Sequence, residues 1–151
     1  MGLREPALTS VEDGAAATLL LDPISGSPLV PPVSLPCLSR EEAMAEKLRA
    51  ALSRRVVAIR DFFDVDYAVR RLRFDPLDER IVVLVRAKLG VPGNDAVDVS
   101  TVRLDALRKQ LTSQLKPVLR NRDFAEFDLE RAFGTVSAVA AALRAEPTDP
   151  E

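Results

Sequence analysis

Residues 45–64 read AEKLRAALSRRVVAIRDFFD. Leu48, Ala51 and Leu52, with Met44 just upstream, recur at helical spacing, and Ile59, Phe62 and Phe63 resume the pattern further on. Between the two runs Val56-Val57 lowers helix propensity, because β-branched side chains lose rotamer freedom against the preceding turn. Whether the segment breaks near residues 53–57 decides what its charges can do. On one straight helix the Cα atoms of Lys47 and Asp61 would stand about 21 Å apart at 1.5 Å per residue, too far to serve one small ligand. Two antiparallel helices joined by a short loop would bring both side chains to the same end of the pair.

With the break, Arg60 and Asp61 fall in the first turn of the second helix, where backbone N–H groups and the helix dipole favour anions. Lys47 then offers a flexible point charge for a phosphate, and Asp61 a carboxylate that orients the lysine or accepts a proton. Beside this stands the reading of Lys47 and Asp61 as ordinary surface charges or a weak ion pair. Arg54-Arg55 and Arg70-Arg71-Arg73 read as solvated helix faces, with RNA or phosphate binding as the alternative.

The neighbouring sequence extends the helical pattern. Ser39 followed by Glu42 is a capping box that opens a first helix over about 40–54, and the second helix runs to about Arg71 with Tyr67 and Val69 among its apolar positions. Asp75-Pro76 places a cap before a first-turn proline and predicts a third helix, with Ile81, Leu84, Val85 and Leu89 inward and Gly90 at its end. VPGND is a loop. Ser100 caps a fourth helix whose Leu104, Leu107, Leu111 and Leu115 form a stripe up to Pro117. A fifth helix starts near Phe124 or Asp128 and buries Phe127, Phe133, Val136, Val139 and Leu143, and residues 146–151 form a frayed tail.

Residues 1–38 differ. They hold six of the eleven prolines and half of the glycines, with one strand-like run, AATLLLD at 16–22, ahead of a turn-forming PISGSP and the proline-punctuated LVPPVSLP. Two short extended segments do not make a stable sheet alone, so this region is either an arm or the end of a larger sheet. The expected organisation is 1–38, a helical domain over 39–145, and the tail.

At 151 residues and 29% charged residues the chain has the size and composition of one soluble domain. It contains no histidine, which removes the commonest general base near neutral pH, His-assisted nucleophiles and the usual zinc sites. Chemistry falls to carboxylates, Lys, Arg or an oxygen-bound ion of the magnesium type. Net charge is −2, distributed as about −3 over residues 1–39, about +3 over 40–73 and about −2 beyond. The single cysteine, Cys37, reads as a small buried apolar residue. No apolar run is long enough to span a membrane and no secretory signal is evident, which fits a cytoplasmic protein.

The stretch EEAMAEKLRAALSRRVVAIRDFFDVDYAV at 41–69 resembles the signature of the AbiEii/AbiGii toxin family of nucleotidyltransferases, in which an A-E-K-L-x-A-L helix is followed by R-D-x-Y-D on the next. REP at 4–6, LDPISGSPLVPPV, VRAKLGVPGN at 85–94 and LKPVLRNRDFAEFDLERAF at 115–133 extend it over nearly the whole chain. The resemblance implies a DNA polymerase β-like nucleotidyltransferase of an α+β fold, of which this chain is the helical C-terminal half: mainly α, about five helices, with a short N-terminal β or extended segment. It implies a toxin of a toxin–antitoxin or phage-defence module, paired with an antitoxin and acting on RNA, tRNA foremost, or on protein.

By the same resemblance Lys47 and Asp61 are catalytic, and Arg60 and Asp64 bind substrate; Arg54, from the basic pair whose alternative is phosphate binding, is taken with them as substrate-binding. Phe63 stands where the family has Tyr. Mg2+ and NTP are expected for the full-length family enzyme, held through a Gly-Ser turn and paired carboxylates. Gly26-Ser27 is followed by Pro28 and an apolar run and does not supply that motif, which is expected ahead of residue 1. The chain alone is therefore expected to bind neither Mg2+ nor NTP and to be inactive, with residues 1–38 as the last strands of the enzyme's sheet. The alternative is a catalytically dead helical module that binds RNA or protein, with Leu19–Leu21 and Leu29–Val33 as exposed apolar surface. An unrelated helical domain with solvated charges is the third reading.

Overall fold

The computed structural model describes residues 7–145. The expected tail at 146–151 and the REP residues lie outside them. The chain divides into two compact units, Met1–Glu42 and Ala43–Glu151. Among the described residues six α-helices and a two-stranded sheet make it mainly α, as the sequence pattern indicates.

In the first unit β1 (Glu12–Ala16) pairs antiparallel with β2 (Val33–Cys37), Glu12 opposite Cys37 and Ala16 opposite Val33. The strand thus overlaps the predicted run at 16–22 at Ala16 alone, and further along the run Leu21 makes an isolated bridge to Pro28. The cause is the facing segment. Pro28, Pro31 and Pro32 have no N–H for a ladder, so continuous pairing waits until Val33. Between the strands Asp22 accepts from the N–H groups of Ile24 and Ser25 and closes the turn that the PISGSP run predicts. Leu19 and Ile24 are 97% and 96% exposed, and Leu20, Leu21, Leu29, Val30 and Val33 are also exposed. Cys37 corrects the expectation of burial, since both strands are open to solvent on this single-layer ribbon. Its Sγ would lie 2.5 Å from a Cβ added to the diagonally placed Gly14, so a side chain there would displace the thiol.

The serine half of the predicted capping box is visible at the unit's end. Ser39 Oγ accepts from the Glu42 N–H at 3.1 Å, while the buried Glu42 carboxylate accepts from the N–H groups of Leu8 and Thr9 and from the Thr9 hydroxyl. This cap opens α1 (Arg40–Ser53).

In the second unit α1 continues, followed by α2 (Ile59–Leu72), α3 (Glu79–Leu89), α4 (Thr101–Gln110), α5 (Asn121–Glu126) and α6 (Leu129–Arg144). Leu48, Leu52, Ile59, Phe62, Val65, Val85, Leu107, Leu115, Val136 and Val139 are fully buried in one core. Phe62 stacks on Phe133, their ring centroids 6.0 Å apart, and Phe63 meets Phe127 edge-on. Tyr67, expected inward, is exposed.

Three helix boundaries differ from the sequence pattern. The N-cap of α3 is Asp78, which accepts from the Arg80 N–H, whereas Asp75 caps a preceding turn through the Leu77 N–H. A side chain that can close either an Asx-turn or a helix start makes the two hard to separate by pattern. The fourth helix is α-helical only to Gln110. It widens into a π-turn over Leu111–Leu115 and tightens to 3₁₀ geometry over Lys116–Val118, where Pro117 has no N–H to continue it. The predicted fifth helix is two, because Asp128 accepts from the Arg131 N–H and starts α6 afresh.

Candidate functional site at the break between α1 and α2

The helical segment that holds Lys47 and Asp61 does break, between Ser53 and Ile59. Lys47 Nζ lies 2.6 Å from Asp64 Oδ2, although the 17 intervening steps would span about 25 Å of straight helix. The chain has therefore doubled back. Arg54 Nη1, from the first residue past α1, lies 3.1 Å from Asp61 Oδ2. Lys47, Arg54, Asp61 and Asp64 thus form one cluster, and Arg60 is exposed on the same first turn of α2.

Three side chains from later in the sequence hold the break. Asn94, in the VPGN loop, donates through Nδ2 to the carbonyls of Lys88 and Val91 at 2.8 and 2.9 Å, closing the C-terminal end of α3. Its Oδ1 accepts from Arg49 Nη1 at 2.8 Å and from Ser53 Oγ at 3.3 Å, which ties that loop to the last turns of α1. Arg103 of α4 donates to the carbonyls of Ala51 and Arg54, orphan acceptors at the C-terminus of α1. Gln110 donates to the Val57 carbonyl and accepts from the Ile59 N–H, both at 2.9 Å, and so grips the loop on either side of Ala58. Ala58, the N-cap of α2, has no side chain to do this.

The two carboxylates differ in environment. Asp64 is half-buried beside the half-exposed Lys47, whereas Asp61 is only 5% exposed. Asp61 Oδ2 faces Arg54, yet no N–H is aimed along a hydrogen bond to it. Burial pushes the Asp61 carboxyl above its ordinary value; Arg54, Lys47 and Arg49 pull it down, and Asp64 pushes it up. Burial likewise pushes Arg103 below its ordinary value, and its Nε is buried with no hydrogen-bond partner among the described residues. A carboxylic acid whose proton is held more firmly than usual, next to a lysine free to exchange its counter-ion, suits proton transfer beside an anion.

The sequence pattern identifies Lys47, Arg54, Arg60, Asp61 and Asp64, and the structure brings them to one end of α1 and α2. The lysine's partner is Asp64 rather than Asp61, which faces Arg54. Arg70 and Arg71 are not free solvated charges: Arg70 pairs with the buried Asp66, and both meet Glu126. Arg131 pairs with Asp66 from α6. Asn94, Arg103 and Gln110 were missed, because a polar residue in a loop or on a helix face carries no periodic signal. The only hint is that Asn94 lies inside the VRAKLGVPGN segment.

Asp61 and Asp64 each already face a cation, and among the described residues no three His, Cys, Asp or Glu side chains converge. Mg2+ demands near-octahedral oxygen ligation, and these residues do not fit a pair of such ions. No helix among the described residues is long and apolar enough to cross a membrane.

A family model described as nucleotidyl transferase AbiEii toxin, type IV TA system, matches residues 1–144. No curated protein and no solved structure matches.

Proposed function

We propose, for a chain that belongs to the nucleotidyl transferase AbiEii toxin family of type IV toxin–antitoxin systems, that it supplies the lysine half of a nucleotidyl-transfer site. The observation that carries this is the cluster of Lys47, Arg54, Asp61 and Asp64 across the α1–α2 break. Lys47 leaves Asp64 for the triphosphate, whose charge is greater than that of one carboxylate, while Arg54 and Arg60 add positive charge beside it. Asp61 takes the proton of the acceptor hydroxyl as its oxygen bonds to the α-phosphorus and pyrophosphate departs. The acceptor is RNA, with tRNA as the first candidate, and an antitoxin is the partner that restrains the activity.

The paired carboxylates that hold two divalent ions in such transfers are not among these residues. On this reading residues 1–151 supply the lysine, the arginines and the base of the transfer and depend on paired carboxylates from elsewhere. The test is incorporation of labelled nucleotide into total RNA, by residues 1–151 and by the product of the whole open reading frame. No incorporation by the former is expected. Where the longer product is active, Lys47→Ala abolishes incorporation; activity unchanged by Lys47→Ala sinks the assignment of Lys47. Incorporation by residues 1–151 alone sinks the half-site reading.

A further inference from the structure

Between Ser53 and Ile59 the backbone leaves helical geometry, and its hydrogen-bonding groups need partners from elsewhere. They find them on α4. Arg103 Nη2 reaches the Ala51 carbonyl at 2.9 Å and, with Nη1, the Arg54 carbonyl at 3.2 Å. Seven residues on, about two turns along the same face, Gln110 holds the Val57 carbonyl and the Ile59 N–H. Both side chains are thus bound to backbone immediately flanking the residues whose charges meet, Arg54 on one side and Asp61 on the other. Gln110 is also the last α-helical residue before the π-turn over Leu111–Leu115, and single-turn π insertions recur where a helix must present a side chain off the regular register.

We infer that Gln110 and Arg103 are positioning residues: by clamping the two sides of the α1–α2 break, α4 sets the placement of Arg54 against Asp61 and keeps the Asp61 carboxyl out of water. The two differ in kind from Asn94, which binds α1 one turn earlier and the end of α3. Neither touches the reacting groups. The Asp61 carboxylate in turn favours the charged form of Arg103. The groups that face Asp61 are Arg54, Lys47, Asp64 and Arg49 from α1, the loop and α2, and Arg103 from α4. The clamp predicts that these relations loosen together when one side chain is removed.

The inference rests on the site described above for its significance, but its test needs no nucleotide and no activity, so the two can fail separately. In the whole chain the Asp61 carboxyl carbon is followed by NMR across an acid titration, for the wild type, Gln110→Met and Arg103→Lys, each first shown folded by circular dichroism and a cooperative urea transition. Gln110→Met keeps the side-chain length and removes both hydrogen bonds; Arg103→Lys keeps the charge and removes the fork that spans two carbonyls. The expected result is that the Asp61 midpoint falls toward the ordinary carboxylate value in both variants, because water gains access and burial is the largest cause of its elevation. A folded Gln110→Met variant whose urea midpoint falls while the Asp61 midpoint stays at the wild-type value overturns the inference and leaves Gln110 a structural residue. Should Gln110→Met not fold, the Arg103→Lys titration decides in the same way. If neither variant folds, both side chains are structural and the inference falls.

Discussion

Replacing Asn94 with Ala removes a side chain that is only half-buried, and a contact-free surface asparagine would cost within about 0.5 kcal/mol. The structure demands more. Three short hydrogen bonds vanish, to the Lys88 carbonyl at 2.8 Å, to the Val91 carbonyl at 2.9 Å and from Arg49 at 2.8 Å. At about 1 kcal/mol net for each, the loss is about 3 kcal/mol, with the longer contacts to Leu89 and Ser53 adding little. Arg49 keeps its ion pair with Glu46 and so is not left as a bare buried charge, which argues against a larger figure. A urea slope of about 1.5 kcal/mol per molar turns this into a fall of about 2 M in the midpoint. Asn94→Asp separates the two halves of the network: it keeps acceptors for Arg49 and Ser53 but sets a carboxylate against carbonyl oxygens. It should be at least as destabilised as Asn94→Ala. A midpoint shift below about 0.5 M for Asn94→Ala at unchanged slope, or an Asn94→Asp variant as stable as the wild type, would refute the claim that this amide ties α3 to α1.

Asp66→Asn is expected to cost about 2 kcal/mol by urea unfolding, less than the loss of one partner from a fully buried pair, because Arg131 and Arg70 retain contact with water. Lys47→Ala, by contrast, should shift stability by less than about 1 kcal/mol, since its pair with Asp64 is close to half exposed at both ends; a larger loss would show a structural role. Because burial raises the Asp61 pKa in the folded chain, folding favours its protonated form. Between the ordinary carboxylate value and the raised one the native state binds more protons than the unfolded chain, so this group's contribution to stability falls as pH rises through that window. Asp61→Asn should lack that fall, and identical pH–stability profiles for the two proteins would contradict it. Arg73 ends α2 at φ 52°, ψ 38°, a left-handed conformation that suits glycine, so Arg73→Gly should gain about 1 kcal/mol in stability, read as a higher thermal midpoint.

Much of the helical architecture is legible in periodicity, and the places where it is not have a common cause. Leu48, Leu52, Ile59, Phe62, Ile81, Val85, Leu107, Val136 and Val139 fall at helical spacing and are buried. Asp61, Asp66, Lys88 and Arg103 are buried too, and no apolar pattern marks them. Asp61 lies opposite the apolar stripe of α2, whereas Asp66, Lys88 and Arg103 fall at helical spacing from apolar residues of their own helices and interrupt the stripe with a charge. Each that the cluster or the α2–α6 network uses is compensated by a partner more than 35 residues away or across a chain reversal, apart from the local Asp66–Arg70 pair. The misplaced first strand shows the same limit. AATLLLD has strand propensity, but propensity does not say whether the facing segment, here three prolines, can return the hydrogen bonds.

The site divides along that line. Its charged members were readable because charge, spacing and the break in a helical run are all local: a lysine, then Arg54, then Asp61 and Asp64 on either side of two β-branched residues. What brings them together is non-local. A loop from 54 to 58 with no capping side chain of its own would leave Lys47 and Asp64, and Arg54 and Asp61, to find each other only transiently, and the entropy of fixing its backbone, about 1–2 kcal/mol per residue, would work against the cluster. Gln110 and Arg103 satisfy four backbone groups of that segment and its flanks from a rigid helix, so the ordering is already done when the fold forms. The cost of assembling Arg54 on a desolvated Asp61 is then carried by packing in the core behind α4, where Leu107 is fully buried between the two clamps. A packed core and a desolvated, partly unsatisfied carboxyl at its edge are, on this account, one arrangement.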